Sequence, residues 1–373
     1  MRFGFAYDSA YPWFNGGIEK RRFLIMRALH EAGHEVHLFT MFREGMPGME
    51  FVYKGIHYHC CAKALPTGAM YKNGRRNIRW PLKYAAAIGP IIWKYRFGLL
   101  DADAFPFVHI PSLATYAKLT GAKFVVTWHE VWDRKYWEKY LPSLGLFGYV
   151  AEKVSARVSG IAIANSSTTK EGLIDTLKVP ASRIHLLAAP ISRRELEHFT
   201  KNRKPKRSDK FIALGRLVPE KRIDMAIRAV AATNARLTVI GSGPEKQKLV
   251  ALARKLGLGK RIRFAQGLSE NTIMTELCES RGLLMFSERE GMSLISVEAL
   301  ALGTPVIIVK STSLPGEIRK YCTIIDEKRL GDSLDRLMKD KKSILYKSGI
   351  PKAQILKAFS AESCVALYTK LAR

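Results

Sequence analysis

At 373 residues the chain exceeds what one hydrophobic core ordinarily supports, and its 47% hydrophobic content excludes a generally disordered protein, so two folded domains are expected. Sixty-one Lys and Arg against 33 Asp and Glu leave a net charge of +28, which asks for an anionic partner: nucleic acid, an anionic membrane or phosphate-bearing ligands. Five scattered cysteines (Cys60, Cys61, Cys278, Cys322 and Cys364) form no disulfide framework and suit a reducing compartment.

In chain order, Arg2–Ala6 reads as a strand that meets a charge at Asp8, so no apolar segment of a secretory signal opens the chain. Glu35–Thr40 reads as a second strand. The run His57-x-His59-Cys60-Cys61 has metal-ligand residue types, but strand alternation puts His57, His59 and Cys61 on one face and Cys60 on the other, and nothing completes the set. A plain strand is the better reading. Residues 51 to 100 hold nine Lys or Arg and no acid, and within them residues 71–96 interleave cations with Trp80, Trp93, Tyr and Ile. That pattern suits an interfacial segment on an anionic leaflet, or else a basic surface helix with an ordinary core face. The uncharged run Tyr84–Trp93 is far short of the ~20 residues of a spanning helix, so the protein is expected in the cytoplasm or peripherally on the inner face of a membrane.

Lys123–Trp128 and Gly160–Ala164 continue the strand series. The polar, basic stretch 201–210, with Pro205, reads as an inter-domain linker between residues 1–200 and 211–350, with 351–373 as a C-terminal helix that packs back toward the first domain. Beyond the linker, Phe211–Gly215, Arg236–Gly241, Arg261–Phe264, Gly282–Phe286 and Pro305–Val309 read as strands. Their alternation with helical periodicity predicts α/β units on parallel sheets.

Two stretches carry chemistry. After the strand ending at Phe286, Glu290 falls in a loop, Gly291 turns the backbone, and Met292–Leu302 reads as a helix closed by Gly303-Thr304-Pro305, with Glu298 about two turns along it. The N–H groups from Met292 to Ile295 then form an anion site, and Ser293 is a candidate N-cap. Carboxylates, being acceptor-only, suit the hydroxyls of sugars and ribose. The second stretch is Gly215-Arg216-Leu-Val-Pro-Glu-Lys221 at a strand's C-terminal edge, where Gly215 permits close approach and Arg216 and Lys221 can neutralise a diphosphate.

Gly-Arg-Leu-x-x-Glu-Lys, then Val239-Ile-Gly-Ser-Gly-Pro244, then Glu290-x7-Glu298 and Ala-Leu-Gly-Thr-Pro-Val306, in this order, resemble the group 1, glycogen-synthase-like glycosyltransferases of the GT-B fold. Asn15-Gly16-Gly17 is similar to that family's glycine loop over the donor phosphates, Val125-Val-Thr-Trp-His129 to its strand-end histidine, and Ile161–Ser167 to the strand entering its donor-side helix. The resemblance implies two Rossmann-like domains facing across a cleft, an acceptor-side domain first and a nucleotide-sugar domain second. It implies catalytic roles for His129, Arg216, Lys221 and Glu290. It implies donor binding by Gly16, Gly17, Gly215, Arg216, Lys221, Gly291, Met292, Ser293, Leu294, Ile295 and Glu298. Gly241 and Gly243 would shape a turn. Met292 stands where the family often has Phe, Arg222 where it has Gly, and Leu187-Ala-Ala-Pro190 where many members have an Asn-Gly turn.

The implied reaction is retaining transfer from a nucleoside-diphosphate sugar to an acceptor hydroxyl, with a glycan or lipid-linked acceptor. No metal or other cofactor is expected, since Arg216 and Lys221 can do for the diphosphate what a metal does in other folds. A nucleic-acid-binding protein is the alternative that the charge raises, but no nucleic-acid motif accompanies it, so no nucleic acid is expected as a partner. A phosphorylase or sugar-nucleotide epimerase of the same fold is the other alternative.

Overall fold

The computed structural model describes residues 1–14, 16–65, 71, 72, 75–77, 79–191, 196, 199, 209–339 and 352–373. Residues 201–208 of the expected linker lie outside these. The chain forms two compact units, Met1–Pro190 with Ala361–Arg373, and Ile191–Ser360.

The first unit holds β1 (Arg2–Ala6), β2 (Glu35–Phe42), β3 (Glu50–Tyr53), β4 (Ile56–Lys63), β5 (Tyr71–Lys72), β6 (Arg75–Arg76), β7 (Leu99–Asp103), β8 (Lys123–Trp128), β9 (Ile161–Ala164) and β10 (Ile184–Leu186). Eight of them make one sheet in the order β10-β9-β8-β7-β1-β2-β4-β3, parallel throughout except for β3 against β4. The order reverses on either side of β1, which makes the carboxyl ends of β1 and β7 a topological switch point.

Helices cover both faces. On one, the helix Arg79–Ile92 buries Trp80, Tyr84, Ile88 and Ile92 at a regular spacing of four, beside Leu113, Tyr116 and Ala117 of the helix Ile110–Thr120. On the other, the helix Gly17–Glu31 buries Phe23, Ile25, Met26 and Leu29 against Cys364, Tyr368 and Leu371 of the helix Ala361–Leu371. The basic aromatic segment thus has an ordinary core face, and its outward face carries Arg79, Leu82, Lys83, Trp93 and Lys94.

The second unit has six strands, β11 (Lys210–Leu214), β12 (Arg236–Ile240), β13 (Ile262–Ala265), β14 (Gly282–Leu284), β15 (Val306–Val309) and β16 (Thr323–Ile325). All are parallel, in the order β13-β12-β11-β14-β15-β16, with the reversal between β11 and β14. Their runs are almost wholly apolar, as a sheet covered on both faces requires. The expected strands are present with small shifts of their ends, whereas β3, the short pair β5 and β6, β7, β10 and β16 were not expected from the sequence. β7 escaped because its two acids break the apolar pattern.

The His57–Cys61 stretch is a strand, and among the described residues no cluster of His, Cys, Asp and Glu is arranged to hold a metal. Its histidines form a polar stack instead. His59 Nε2 lies 2.9 Å from His37 Nδ1, Tyr95 O–H reaches His59 Nδ1 at 3.1 Å, and the His57 ring stacks 4.7 Å from that of His37. Burial lowers both His37 and His59, taking His59 to about 4. A histidine depressed when folded stabilises fully above its unfolded value near 6.5, and that contribution is lost as pH falls toward the folded value. Stability of the first unit is therefore expected to drop by on the order of 2 kcal/mol between pH 6.5 and 4.5. Urea unfolding across that range should show the slope, and His59→Gln should flatten it.

Candidate functional site

In the second unit the predicted donor residues gather at the switch point. β11 delivers Gly215 and Arg216, and the short turn Pro219–Lys221 places Lys221 so that its Nζ donates to Glu290 Oε1, from the loop after β14, at 2.5 Å. The Glu288 N–H donates to the Glu220 carbonyl at 2.8 Å, tying the two loops together through their backbones. Arg216 is exposed and pairs with no acid among the described residues, so its guanidinium fork is open to a ligand. Gly241 and Gly243 have φ of 152° and 158°, and a Cβ on them would come within 1.9 Å of the Gly215 carbonyl and 2.3 Å of the Leu217 carbonyl. They are therefore turn residues that let the loop after β12 pack against the one that carries Arg216.

Arg222 explains its own departure from the family pattern. It sits at φ 48°, ψ 41°, a left-handed conformation natural to glycine, and is held there by bonds from Nη1 to Ser311 Oγ at 2.9 Å and from Nη2 to Glu327 Oε1 at 2.6 Å.

The helix after Glu290 begins later than its periodicity suggests. It spans Leu294–Ala301, with Ser293 as N-cap and Gly291 and Met292 still in the loop, so Glu298 lies about one turn along it rather than two. The Ser293 hydroxyl makes no cap bond and faces Ser296 Oγ at 2.8 Å. Among the described residues no acceptor takes the N–H of Leu294 or Ile295, which leaves the positive end of this helix open. Glu298 is buried in the same helix.

The first unit holds the remaining candidates. Gly16 is the N-cap of the helix Gly17–Glu31, and Glu19 folds back so closely that a Cβ on Gly16 would meet its carboxylate at 2.0 Å. A Cβ on Gly17 would meet nothing within 4 Å, so the space above this residue is open. His129 follows β8, and its Nε2–H donates to Asp103 Oδ1 at 2.5 Å.

That bond leads into a buried network which the sequence reading missed. Arg22 Nε donates to Asp103 Oδ2 at 2.8 Å and Nη1 to Asp101 Oδ2 at 2.6 Å, while Nη2 lies 2.6 Å from Asp103 Oδ2 as an ion pair without hydrogen-bond alignment. Thr127 Oγ1 bonds Asp101 at 2.9 Å, and the Tyr368 O–H donates to the same carboxylate. Burial would raise the Asp103 carboxyl, but Arg22 and His129 outweigh it and hold it at about 2. Burial dominates at Asp101, which is raised despite Arg22, and at His129, which is lowered despite Asp103. An ionised Asp103 only accepts, so a neutral His129 carries its proton on Nε2 and presents the bare Nδ1 lone pair. The signal was available: Leu99-Leu-Asp-Ala-Asp103 places two acids on one face of a strand otherwise fit for the interior.

Comparison with known proteins fits this geometry. A model for glycosyl transferases group 1 matches residues 195–353 and one for glycosyltransferase family 4 matches residues 15–193. The chain belongs to the group 1 glycosyltransferases. Its fold is GT-B: sucrose-phosphate synthase from Thermosynechococcus elongatus superposes with a TM-score of 0.79 at 15% identity, covering 99% of this chain and 98% of that one. Anabaena HepE in complex with UDP and glucose gives 0.73 at 13%, with 99% and 98% covered. A GDP-mannose-dependent alpha-(1-6)-phosphatidylinositol monomannoside mannosyltransferase of Mycolicibacterium smegmatis is 30% identical over 31% of this chain. An N-acetyl-alpha-D-glucosaminyl L-malate synthase of Bacillus anthracis is 26% identical over 40%. The matched stretches span 34% and 41% of those two relatives' lengths.

Replacing one carboxylate of a buried pair leaves its guanidinium undercompensated, so Asp103→Asn is expected to cost on the order of 3 kcal/mol in urea unfolding. The amide can also donate to Nε2, and ¹⁵N shifts of His129 should then show the proton moved to Nδ1.

Proposed function

We propose that the chain is a retaining, metal-independent glycosyltransferase that moves a sugar from a nucleoside-diphosphate sugar to a hydroxyl of a lipid-linked or cell-surface glycan precursor. The observation that carries this reading is the grouping of Arg216, Lys221, Glu290 and the uncapped start of the helix Leu294–Ala301 at one sheet's switch point. Arg216, Lys221 and the N–H groups of Leu294 and Ile295 bind the diphosphate and stabilise its charge as the anomeric bond breaks. Gly215 and Gly291–Ser293 give it close backbone approach, and a phosphate role for Gly16 and Gly17 rests on their likeness to the family's glycine loop. Glu290 accepts from sugar hydroxyls, Glu298 from the ribose, and His129 contacts the sugar. No carboxylate is assigned as a nucleophile. The departing diphosphate takes the acceptor's proton on the same face, and the protein's own cations do the work a metal would otherwise do.

Supporting the nucleotide donor, one relative is named for GDP-mannose and solved neighbours hold UDP or UDP-glucose. The lipid-linked acceptor draws on that relative's phosphatidylinositol-based substrate and on WaaG, a structural neighbour at a TM-score of 0.72 and 15% identity that is involved in lipopolysaccharide biosynthesis. Peripheral attachment to the inner face of a membrane follows from such an acceptor, and among the described residues no helix is long and apolar enough to cross one.

A thermal-shift panel of UDP, GDP, ADP and their sugars tests the donor site. Ligand at 100 times its Kd should stabilise the fold by about 2.7 kcal/mol, for one base, and Glu298→Ala should weaken that response. No response to any nucleotide would remove the reading, and phosphate-dependent release of sugar phosphate would replace it with a phosphorylase. Transfer is expected to survive EDTA, and loss restored by Mn²⁺ would overturn metal independence. Gly17→Ala should leave the melting temperature within about 2 °C, since its Cβ meets nothing, while raising the donor KM several-fold.

A further inference from the structure

The helix Gly145–Val158 of the first unit is built inside out. Its buried positions are Gly145, Gly148, Glu152, Ser155 and Ala156, whereas Leu146, Phe147 and Val150 stand 57%, 53% and 48% exposed and Val154 and Val158 are exposed beside them. A surface helix in water has the opposite polarity.

The inward face leaves no freedom to reverse this. Gly145 and Gly148 lie so close to the preceding helix Arg134–Tyr140 that a Cβ would come within 2.6 Å of the Glu138 backbone and 2.2 Å of the Trp137 ring. The Glu152 carboxylate accepts from Trp137 Nε1 at 2.5 Å and from the Trp132 N–H at 3.0 Å. The helix is thereby locked with its large apolar side chains outward.

The neighbouring helices extend the surface. Arg79–Ile92, Ile110–Thr120 and Gly145–Val158 are adjacent on one face of the sheet, and the first two expose Leu82 and Leu119, with Trp93 just past the end of the first. Between residues 79 and 158 stand eleven Lys and Arg, while the exposed acids are Asp133, which caps its helix, and Glu138, which pairs with Arg134. Lys139, Lys153 and Arg157 lie on or next to the apolar ridge, and Lys153 Nζ rests 4.6 Å from the centre of the Tyr149 ring. A protein partner's interface would offer acids or paired charges. Apolar side chains in a field of one sign, along a helix about 21 Å long, fit a sheet of anionic headgroups over acyl chains.

We propose that this ridge, Leu144 to Val158, lies flat in the interface of an anionic bilayer, with Phe147, Val150 and Val154 in the acyl boundary and Lys139, Lys153 and Arg157 at the phosphates. It extends the reading of a lipid-linked acceptor by assigning the docking face, and it moves the centre of that face from residues 71–96 to a helix the sequence did not single out.

The test is sedimentation of the full chain with phosphatidylcholine vesicles containing or lacking phosphatidylglycerol, at low and high salt. Binding is expected only with phosphatidylglycerol, weakening as salt rises. Phe147→Ser/Val150→Ser/Val154→Ser should lower partitioning at least about tenfold with an unchanged circular dichroism spectrum and melting temperature. Lys139→Gln/Lys153→Gln/Arg157→Gln should lower it and blunt the salt dependence. If the triple serine variant does not fold, Val150→Cys carrying an environment-sensitive dye replaces it, with a blue shift expected on adding vesicles. No binding to anionic vesicles, wild-type partitioning by the folded serine variant, or an unshifted dye would overturn the proposal. So would a lipid-free dimer, seen by analytical ultracentrifugation, that the serine variant dissociates. Nucleotide stabilisation is measured without vesicles, so failure here leaves the donor reading standing, and the reverse.

Discussion

A guanidinium taken out of water must be met by charge on every side that water has left, and Arg22 imposes that condition on the first unit. It stands between Asp101 and Asp103, both fully buried, and each partner is bound in turn: Asp103 by His129, Asp101 by Thr127 and Tyr368. Four elements of the unit converge on this point: the helix Gly17–Glu31, β7, the end of β8 and the helix Ala361–Leu371. Such a cluster is weak evidence for added stability, because desolvation consumes much of the attraction. Hydrocarbon in its place would pack without specifying a register. What the charges supply is a single geometry in which His129 is oriented at the rim and its tautomer is decided from below.

The second unit solves a different problem. Its charged residues sit at the sheet's edge in loops, where a ligand can reach them, and the close approach of three strand-end turns does the positioning. Gly241 and Gly243 allow the loop after β12 to press against Gly215–Leu217, and the Lys221 to Glu290 bond spans the gap between the turns after β11 and β14. One unit orients a site from within the core, the other from the backbone outward.

That difference accounts for what the sequence revealed. The second unit's candidate residues are local: Gly215 to Lys221 and Glu290 to Glu298 are short runs whose order and spacing already state which loop follows which strand. The Arg22 network joins residues 81 and 79 positions apart, and Tyr368 lies 267 from Asp101, distances over which no periodicity speaks. Helix existence was legible and its start was left between two signals: Met292 fits the apolar repeat, but the candidate cap Ser293 is where the helix begins. The helix Gly145–Val158 has an apolar stripe by any count. Periodicity gives the stripe's width and is silent on whether it faces the core, which here the glycines against Trp137 decide.

Tyr368 belongs to the first unit, yet the whole of the second unit, Ile191–Ser360, is encoded before it. A ribosome releasing this chain from its N-terminus presents Arg22, Asp101 and Asp103 long before the hydroxyl that completes them, and Asp101 waits with an open lone pair while an entire second domain emerges. The order of synthesis thereby makes the first domain the last to finish. A truncated product would carry a finished second domain beside an N-terminal one with its buried charges incompletely matched, a defect that quality-control proteases are equipped to find.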